Sequence, residues 1–258
     1  MSYERIRAES SAAVAVITLN RPEKRNALDA TTVRELKEAL CAAQENADIR
    51  VILLRGEGKD FCAGADLAQL ERIAAGASPL ENLEDAMAIG NLFIEMRRSD
   101  KPIIAAVQGN AIAGGAGLAT ACDIVLAAES AVFGYPEVHL GFVPAMVMAL
   151  LRRSVGEKRA FDLVVRGDLI SAAEAFDLGI VTRVVADAAL AEAAHDYAAA
   201  IAARPSSAVR LTKRLLYGID GLSFEEAIAR GAEVNALARF TDECRDGVRR
   251  FLDKQRDR

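Results

Sequence analysis

Residues 111–123 read AIAGGAGLATACD: three glycines in four positions, no charge before Asp123, and scarcely a side chain larger than a methyl among the rest. Glycine loses more chain entropy on folding than any other residue, so a cluster needs a reason. The flanking pattern supplies a frame. Ile103 to Val107 is a short, wholly apolar strand, Gln108, Gly109 and Asn110 form a turn, and Gly114 and Gly115 open a helix. A helix start carries unpaired N–H groups and the positive end of its dipole. Bare residues there let a ligand oxygen approach, as phosphates and developing oxyanions do. Close helix packing on small residues is the competing explanation, and this stretch alone leaves both open.

Working outward, the chain alternates strands and helices. Val14 to Leu19 is a strand, and NRPEKRNALD (20–29) is a loop with a charged tip. Asp29 caps a helix with Val33, Leu36 and Leu40 on one face. RVILLRGEG (50–58) reads as a buried strand, and DFCAGADL (60–67) as a loop leading into a helix. Residues 71–82, small and interrupted by polar groups, read as a mobile segment before a helix at 83–97. Downstream, IVLAA (124–128) and IVTRVV (180–185) are strands, and Ser171 with Glu174 and Ser223 with Glu226 match capping boxes. From Ala188 the pattern is almost entirely helical. Such a layout indicates an α/β core followed by a helical arm.

Composition bounds the function. With 258 residues, 52% of them hydrophobic, the chain can bury a large core, and a net charge of −5 argues against nonspecific nucleic-acid binding. Six bases among five acids in the last eighteen residues suit a solvated helix face. Residues 102–122 are uncharged and long enough to span a bilayer, but Pro102, Gln108, Asn110 and four glycines mark them as buried core. The four cysteines are scattered without metal-ligand spacing and no secretory segment precedes Tyr3, which points to a reduced cytoplasmic setting. His139 and His195 have no partner motif, and neither a phosphate loop nor a dinucleotide fingerprint is present.

Two loops stand out, CAGAD (62–66) and AGGAG (113–117). Each follows an apolar strand and leads toward a helix. As neighbours they could each give one backbone N–H to the same carbonyl oxygen, an oxyanion hole suited to enolate chemistry with a nearby base.

Four segments carry a resemblance: NRPEKRNALD, DFCAGADL, the long run from Lys101 to Pro144, and SAAEAFDLGIVTRVV (171–185). In register over nearly the whole chain, they closely resemble the crotonase, or enoyl-CoA hydratase/isomerase, family. The resemblance implies a crotonase-like core of repeated β-β-α units over residues 1–200, holding the CoA-ester site. It implies a helical arm over 201–258 for oligomerisation and for covering CoA. The substrate would be an acyl-CoA thioester, with coenzyme A as part of it and no separate cofactor or metal. Ala65 and Gly114 would supply the oxyanion-hole N–H groups and Glu137 the catalytic carboxylate. Lys24 and Arg25 match the adenine-nucleotide contact, and Ala63, Asp66 and Leu67 adjoin the CoA. Phe251 and Lys254 match the C-terminal element that reaches CoA from a neighbouring subunit of a trimer or dimer of trimers.

Two departures bear on the chemistry. Hydratases of the family carry a second glutamate where this chain has Gly117. A held water and a proton delivered to the α-carbon need two carboxylates, whereas one can shuttle a proton between carbons. That favours 3-enoyl to 2-enoyl isomerisation, with hydration through a substitute acid and an inactive acyl-CoA-binding homologue as alternatives. Asp123 is better suited to bracing the next strand than to substituting, and Tyr135 to packing. Burial beside Phe133, Val138 and Phe142 is expected to raise the Glu137 pKa. The second departure is PAMVMALL (144–151) in place of a glycine run: Met146, Val147 and Met148 either line a shortened acyl pocket or fill core.

Overall fold

The computed structural model describes residues 3–76 and 78–256. The chain opens with β1 (Ile6–Ser11) and β2 (Val14–Leu19), followed by α1 (Ala30–Glu45) and β3 (Val51–Gly56). Next come α2 (Leu67–Gly76), α3 (Pro79–Arg98), β4 (Ile103–Val107), β5 (Asn110–Ile112) and α4 (Gly114–Ala121). β6 (Ile124–Ala128), β7 (Val132–Gly134), α5 (Ala145–Val155), α6 (Glu157–Arg166), β8 (Leu169–Ser171) and α7 (Ala172–Leu178) lead to β9 (Arg183–Val185). The remainder is helical: α8 (Leu190–Ala202), α9 (Ser206–Gly218), α10 (Phe224–Ala238) and α11 (Asp242–Arg256).

The main sheet has the order β1-β2-β3-β4-β6-β9 and is parallel except for the β1–β2 hairpin. Every residue of β4 and the first four of β3 are buried, with no alternation along the strand. Both faces are therefore covered, the usual condition of parallel strands. α8 packs across β2, β3, β4 and β6. A second sheet, β5-β7-β8, stands apart and carries the loops that concern us. Its strands are three residues each, too short to leave a periodic signal.

The segment 71–82, expected to be mobile, is mostly helical. α2 runs to Gly76, and α3 begins at Pro79 behind a reciprocal capping box between Ser78 and Glu81. Serine at the cap, proline in the first turn and glutamate three residues on satisfy the orphan N–H groups that a weak local pattern conceals. Ala77 lies outside the described residues, as do residues 257 and 258. Residue 200 falls in the last turn of α8, so the core and the arm meet within a helix rather than at a linker.

The arm is tied to the core by a buried polar cluster. The Asp123 carboxylate accepts from the Ile103 N–H (2.6 Å), the Lys213 ammonium (2.7 Å) and the Tyr217 hydroxyl (2.7 Å). Lys213 also donates to the carbonyls of Met96 and Lys101, both at 3.0 Å. Burial lowers the Lys213 pKa, and Asp123 offsets part of that shift. Asp123 thus braces β4 and α9.

Candidate active site

Three backbone segments run side by side. Leu28 bridges Ala65, and Cys62 bridges Ala111, both in parallel. The Leu28 N–H donates to the Gly64 carbonyl (2.7 Å) and the Asp66 N–H to the Leu28 carbonyl (2.9 Å). The Cys62 N–H donates to the Asn110 carbonyl and the Ile112 N–H to the Cys62 carbonyl, each at 3.0 Å. Successive backbone groups point to opposite sides of a strand. With Gly64 and Asp66 turned toward Leu28, Ala65 turns its N–H the other way. Among the described residues neither that N–H nor the Gly114 N–H donates to another group. Gly114 is the first residue of α4, where no intrahelical acceptor exists.

The two free N–H groups are neighbours. A Cβ added to Gly114 would lie 3.8 Å from the Ala65 nitrogen, and one added to Gly64 would lie 3.2 Å from the Gly114 nitrogen. The turn between β5 and α4 is made by Ala113 at φ 51° and ψ −122°, a conformation that costs a residue bearing a Cβ about 1–3 kcal/mol. Its N–H is fixed to the Gly134 carbonyl at 2.8 Å, which ties the helix start to β7.

The glycine cluster has three separate reasons. At Gly115 a Cβ would stand 2.1 Å from the Cys62 carbonyl oxygen, so the two loops could not close. At Gly117 it would stand 2.5 Å from a Val147 methyl and 3.2 Å from the Phe93 ring. At Gly114 every neighbour lies at 3.8 Å, which is ordinary contact. Packing accounts for Gly115 and Gly117; at Gly114 it demands nothing, and what a methyl would cover is the space beside the Ala65 N–H.

Glu137 sits in a 3-10 turn, Pro136–Leu140, three residues beyond Gly134. It is 9% exposed, and its Oε2 is buried without a hydrogen-bond partner among the described residues. Burial raises its pKa above the ordinary 4.5, with its own backbone N–H offsetting part of the effect. Phe133 is fully buried and Val138 half-buried, but Phe142 is 56% exposed. Phe142 is therefore not part of the apolar surroundings expected of it, because the turn after Gly141 carries it outward. Tyr135 is packed away: its hydroxyl lies 3.0 Å from Thr120 Oγ1, and Thr120 in turn donates to the Ala116 carbonyl (2.7 Å).

The other residues expected to bind CoA differ in how they are held. Lys24 is exposed. Arg25 is exposed too, but its Nε donates to the buried Asp60 carboxylate at 2.9 Å. Burial pushes the Asp60 carboxyl up, yet Arg25 and Asn110 outweigh it and hold the pKa below the usual range. Ala63 gives its N–H to the Arg25 carbonyl (2.9 Å), Leu67 is exposed, and Phe251 and Lys254 lie exposed on α11. Asp66 is engaged: it accepts from Arg21 (3.1 Å) and from the Ala68 N–H (3.0 Å) at the start of α2. Burial raises its pKa, but these donors win and the net shift is downward.

Arg21 was not singled out from the sequence. It is buried, donates to the Ala27 carbonyl (2.9 Å) and pairs with Asp29 and Asp66, so it ties the flanks of both Leu28 and Ala65. A lone arginine in a loop gives no sequence signal for such burial. Phe93 was also missed, being one of several apolar positions on α3. Among the described residues no three histidines, cysteines or carboxylates gather as a metal would need, and no helix is long and apolar enough to cross a membrane.

Comparison with known proteins places this arrangement. The enoyl-CoA hydratase/isomerase family profile matches residues 9–258. The chain belongs to the enoyl-CoA hydratase/isomerase family. A relative from Thermus thermophilus is 42% identical over 94% of this chain and 95% of its own. The crotonyl-CoA hydratase of Syntrophomonas wolfei is 34% identical over 99% and 98% respectively. The crystal structure of an enoyl-CoA hydratase from Mycobacterium smegmatis superposes with a TM-score of 0.93 at 31% identity, covering 97% of each chain. The fold is thus crotonase-type, as the sequence motifs implied, and the protein is an acyl-CoA enzyme of this family.

The three glycines can be told apart experimentally. Gly114→Ala is expected to leave the melting temperature within a degree or two, since its methyl meets only ordinary contacts. It is expected to lower kcat/KM on acyl-CoA thioesters at least tenfold. Gly115→Ala is expected to destabilise the fold, because its methyl meets the Cys62 carbonyl. Thermal melts and steady-state kinetics on both variants check this.

Proposed function

We propose that the protein moves a double bond along an acyl-CoA chain, from the 3-enoyl to the 2-enoyl position, with Glu137 as its only acid–base group. The observation that carries this reading is the filled space at Gly117: no side chain can be added there without striking Val147. In the proposed reaction the Glu137 carboxylate removes a proton from the α-carbon of a 3-enoyl thioester. The electron pair moves into the thioester, and the oxygen that gains charge is held by the Ala65 and Gly114 N–H groups. The Glu137 acid then returns the proton to the γ-carbon, the conjugated double bond forms between the α- and β-carbons, and the carboxylate is restored. A buried carboxylate with one oxygen unpartnered among the described residues and a raised pKa suits both halves of this exchange, being a stronger base than an exposed one and a ready acid after it.

Hydration of a 2-enoyl thioester is the second reading, favoured by the hydratase names of the relatives. It requires a second acid from outside α4. Lys24 is proposed for the nucleotide end of CoA. Phe251 and Lys254 are proposed to reach CoA bound to another copy in a trimer or dimer of trimers. The exposed Leu216 of α9, Phe224, Ile228 and Leu237 of α10 and Phe240 just beyond it support such an assembly, being large apolar side chains concentrated on the arm. Light scattering is expected to give a mass three or six times 27.5 kDa; a monomer contradicts this part.

The test compares rates on 3-enoyl-CoA and 2-enoyl-CoA thioesters, for the native chain and for Glu137→Gln. Isomerisation is expected to exceed hydration and to fall about 10²–10⁴-fold in the variant. The base must be ionised, so the rate is expected to rise with pH through the Glu137 pKa, with its half-point above 4.5. Faster hydration, or an undiminished variant, contradicts the reading, and thioester binding without turnover would mark an inactive homologue.

A further inference from the structure

Val147 and Gly117 are positions the sequence flagged separately, and the structure joins them. The Cβ that residue 117 would carry falls 2.5 Å from Val147 Cγ2, closer than real Cβ contacts come, and 3.2 Å from Phe93 Cζ. Neither neighbour has room to yield. Val147 and Phe93 are each 4% exposed. A β-branched side chain in a helix has essentially one χ1 rotamer, so Val147 cannot swing its methyl aside. The helices that carry the pair, α3 and α5, also share a partner further along: Arg97 and Arg153 both reach Asp220, at 3.1 and 2.6 Å. Met146 adds to the seam, its Cγ standing 3.4 Å from where a Gly90 Cβ would be.

The wall so formed is apolar. From Gly115 to Ala121 every residue of α4 is buried, and the only polar side chain, Thr120, is occupied by the Ala116 carbonyl and Tyr135. A water needs two to four polar partners to be held in a buried place, and beyond the first turn of α4 the one polar side chain is already engaged.

We propose that Val147 is the specificity-determining residue of this site: by occupying the space over Gly117 it closes that wall to a second carboxylate and to a nucleophilic water. This rests on the one-base reading above and adds the residue that enforces it. The two departures from the family pattern are then a single packing event. Gly117 without Val147 would leave a void, and any larger residue at 117 with Val147 would collide.

The experiment is a mutant cycle on the full chain: Gly117→Glu, Val147→Gly and the double variant, read by thermal melting and by hydration of a 2-enoyl-CoA against isomerisation of a 3-enoyl-CoA. Gly117→Glu alone is expected to melt well below the native protein, or not to fold, and to gain no hydration. The double variant is expected to recover the fold and to raise the hydration-to-isomerisation ratio at least tenfold over the native chain. Gly117→Ala, alone and with Val147→Gly, repeats the packing half with a side chain small enough to fold. A Gly117→Glu or Gly117→Ala protein as stable as the native one overturns the proposal, as does a double variant that fails to fold or folds without the gain. A native chain that does not isomerise, beside a double variant that hydrates, would sink the one-base reading and leave the role of Val147 standing.

Discussion

Everything at this site depends on how closely two loops approach. The Cys62 carbonyl lies where the Cβ of residue 115 would be, and the Ile112 carbonyl stands 2.8 Å from where that of Gly64 would be, so the approach exists only because both positions are bare. Once the loops meet, strand geometry does the rest. Leu28 takes the groups on either side of Ala65, and Ala65 and the start of α4 are left with N–H groups that nothing among the described residues accepts. Both residues are half-buried, and backbone N–H groups withdrawn from water are normally paired. Here the fold creates them side by side, held by Arg21 and Asp66 on one flank and by the Ala113–Gly134 bond on the other.

The same region holds other departures from what a stable fold would choose. Ala113 has a positive φ, and Glu137 is buried with one oxygen unpartnered among the described residues. Features of this kind persist where the surroundings over-determine them, and they concentrate at functional sites. The surroundings here are well packed: β4 is buried along its length and β3 over its first four residues, and Asp123 and Lys213 lock α9 onto the sheet.

Much of this could be read in the sequence because the signals were local. Unbroken apolar runs gave β3 and β4, Asp29 gave the start of α1, and serine–glutamate pairs gave the starts of α7 and α10. The cap at Ser78 is the same chemistry, but the small residues before it masked the helix on either side. AVF at 131–133 was legible as the strand that became β7, but β5 and β8 are held by pairing rather than by propensity, and pairing is not local. The glycine run posed a choice between packing and a cradle that no sequence could settle, since the answer differs from one glycine to the next. Nor could it show that position 147 fills the place a side chain at 117 would need, or that Arg21 is buried. Those facts belong to contacts across 30 to 45 positions of chain.

The central claim is geometric, and a crystal structure with a bound, unreactive saturated acyl-CoA thioester tests it most directly. The account predicts the thioester oxygen about 2.7–3.1 Å from both the Ala65 and the Gly114 nitrogens, with the Glu137 carboxylate against the α-carbon. A thioester oxygen bound elsewhere, or a Glu137 side chain turned away from the α-carbon, would contradict it.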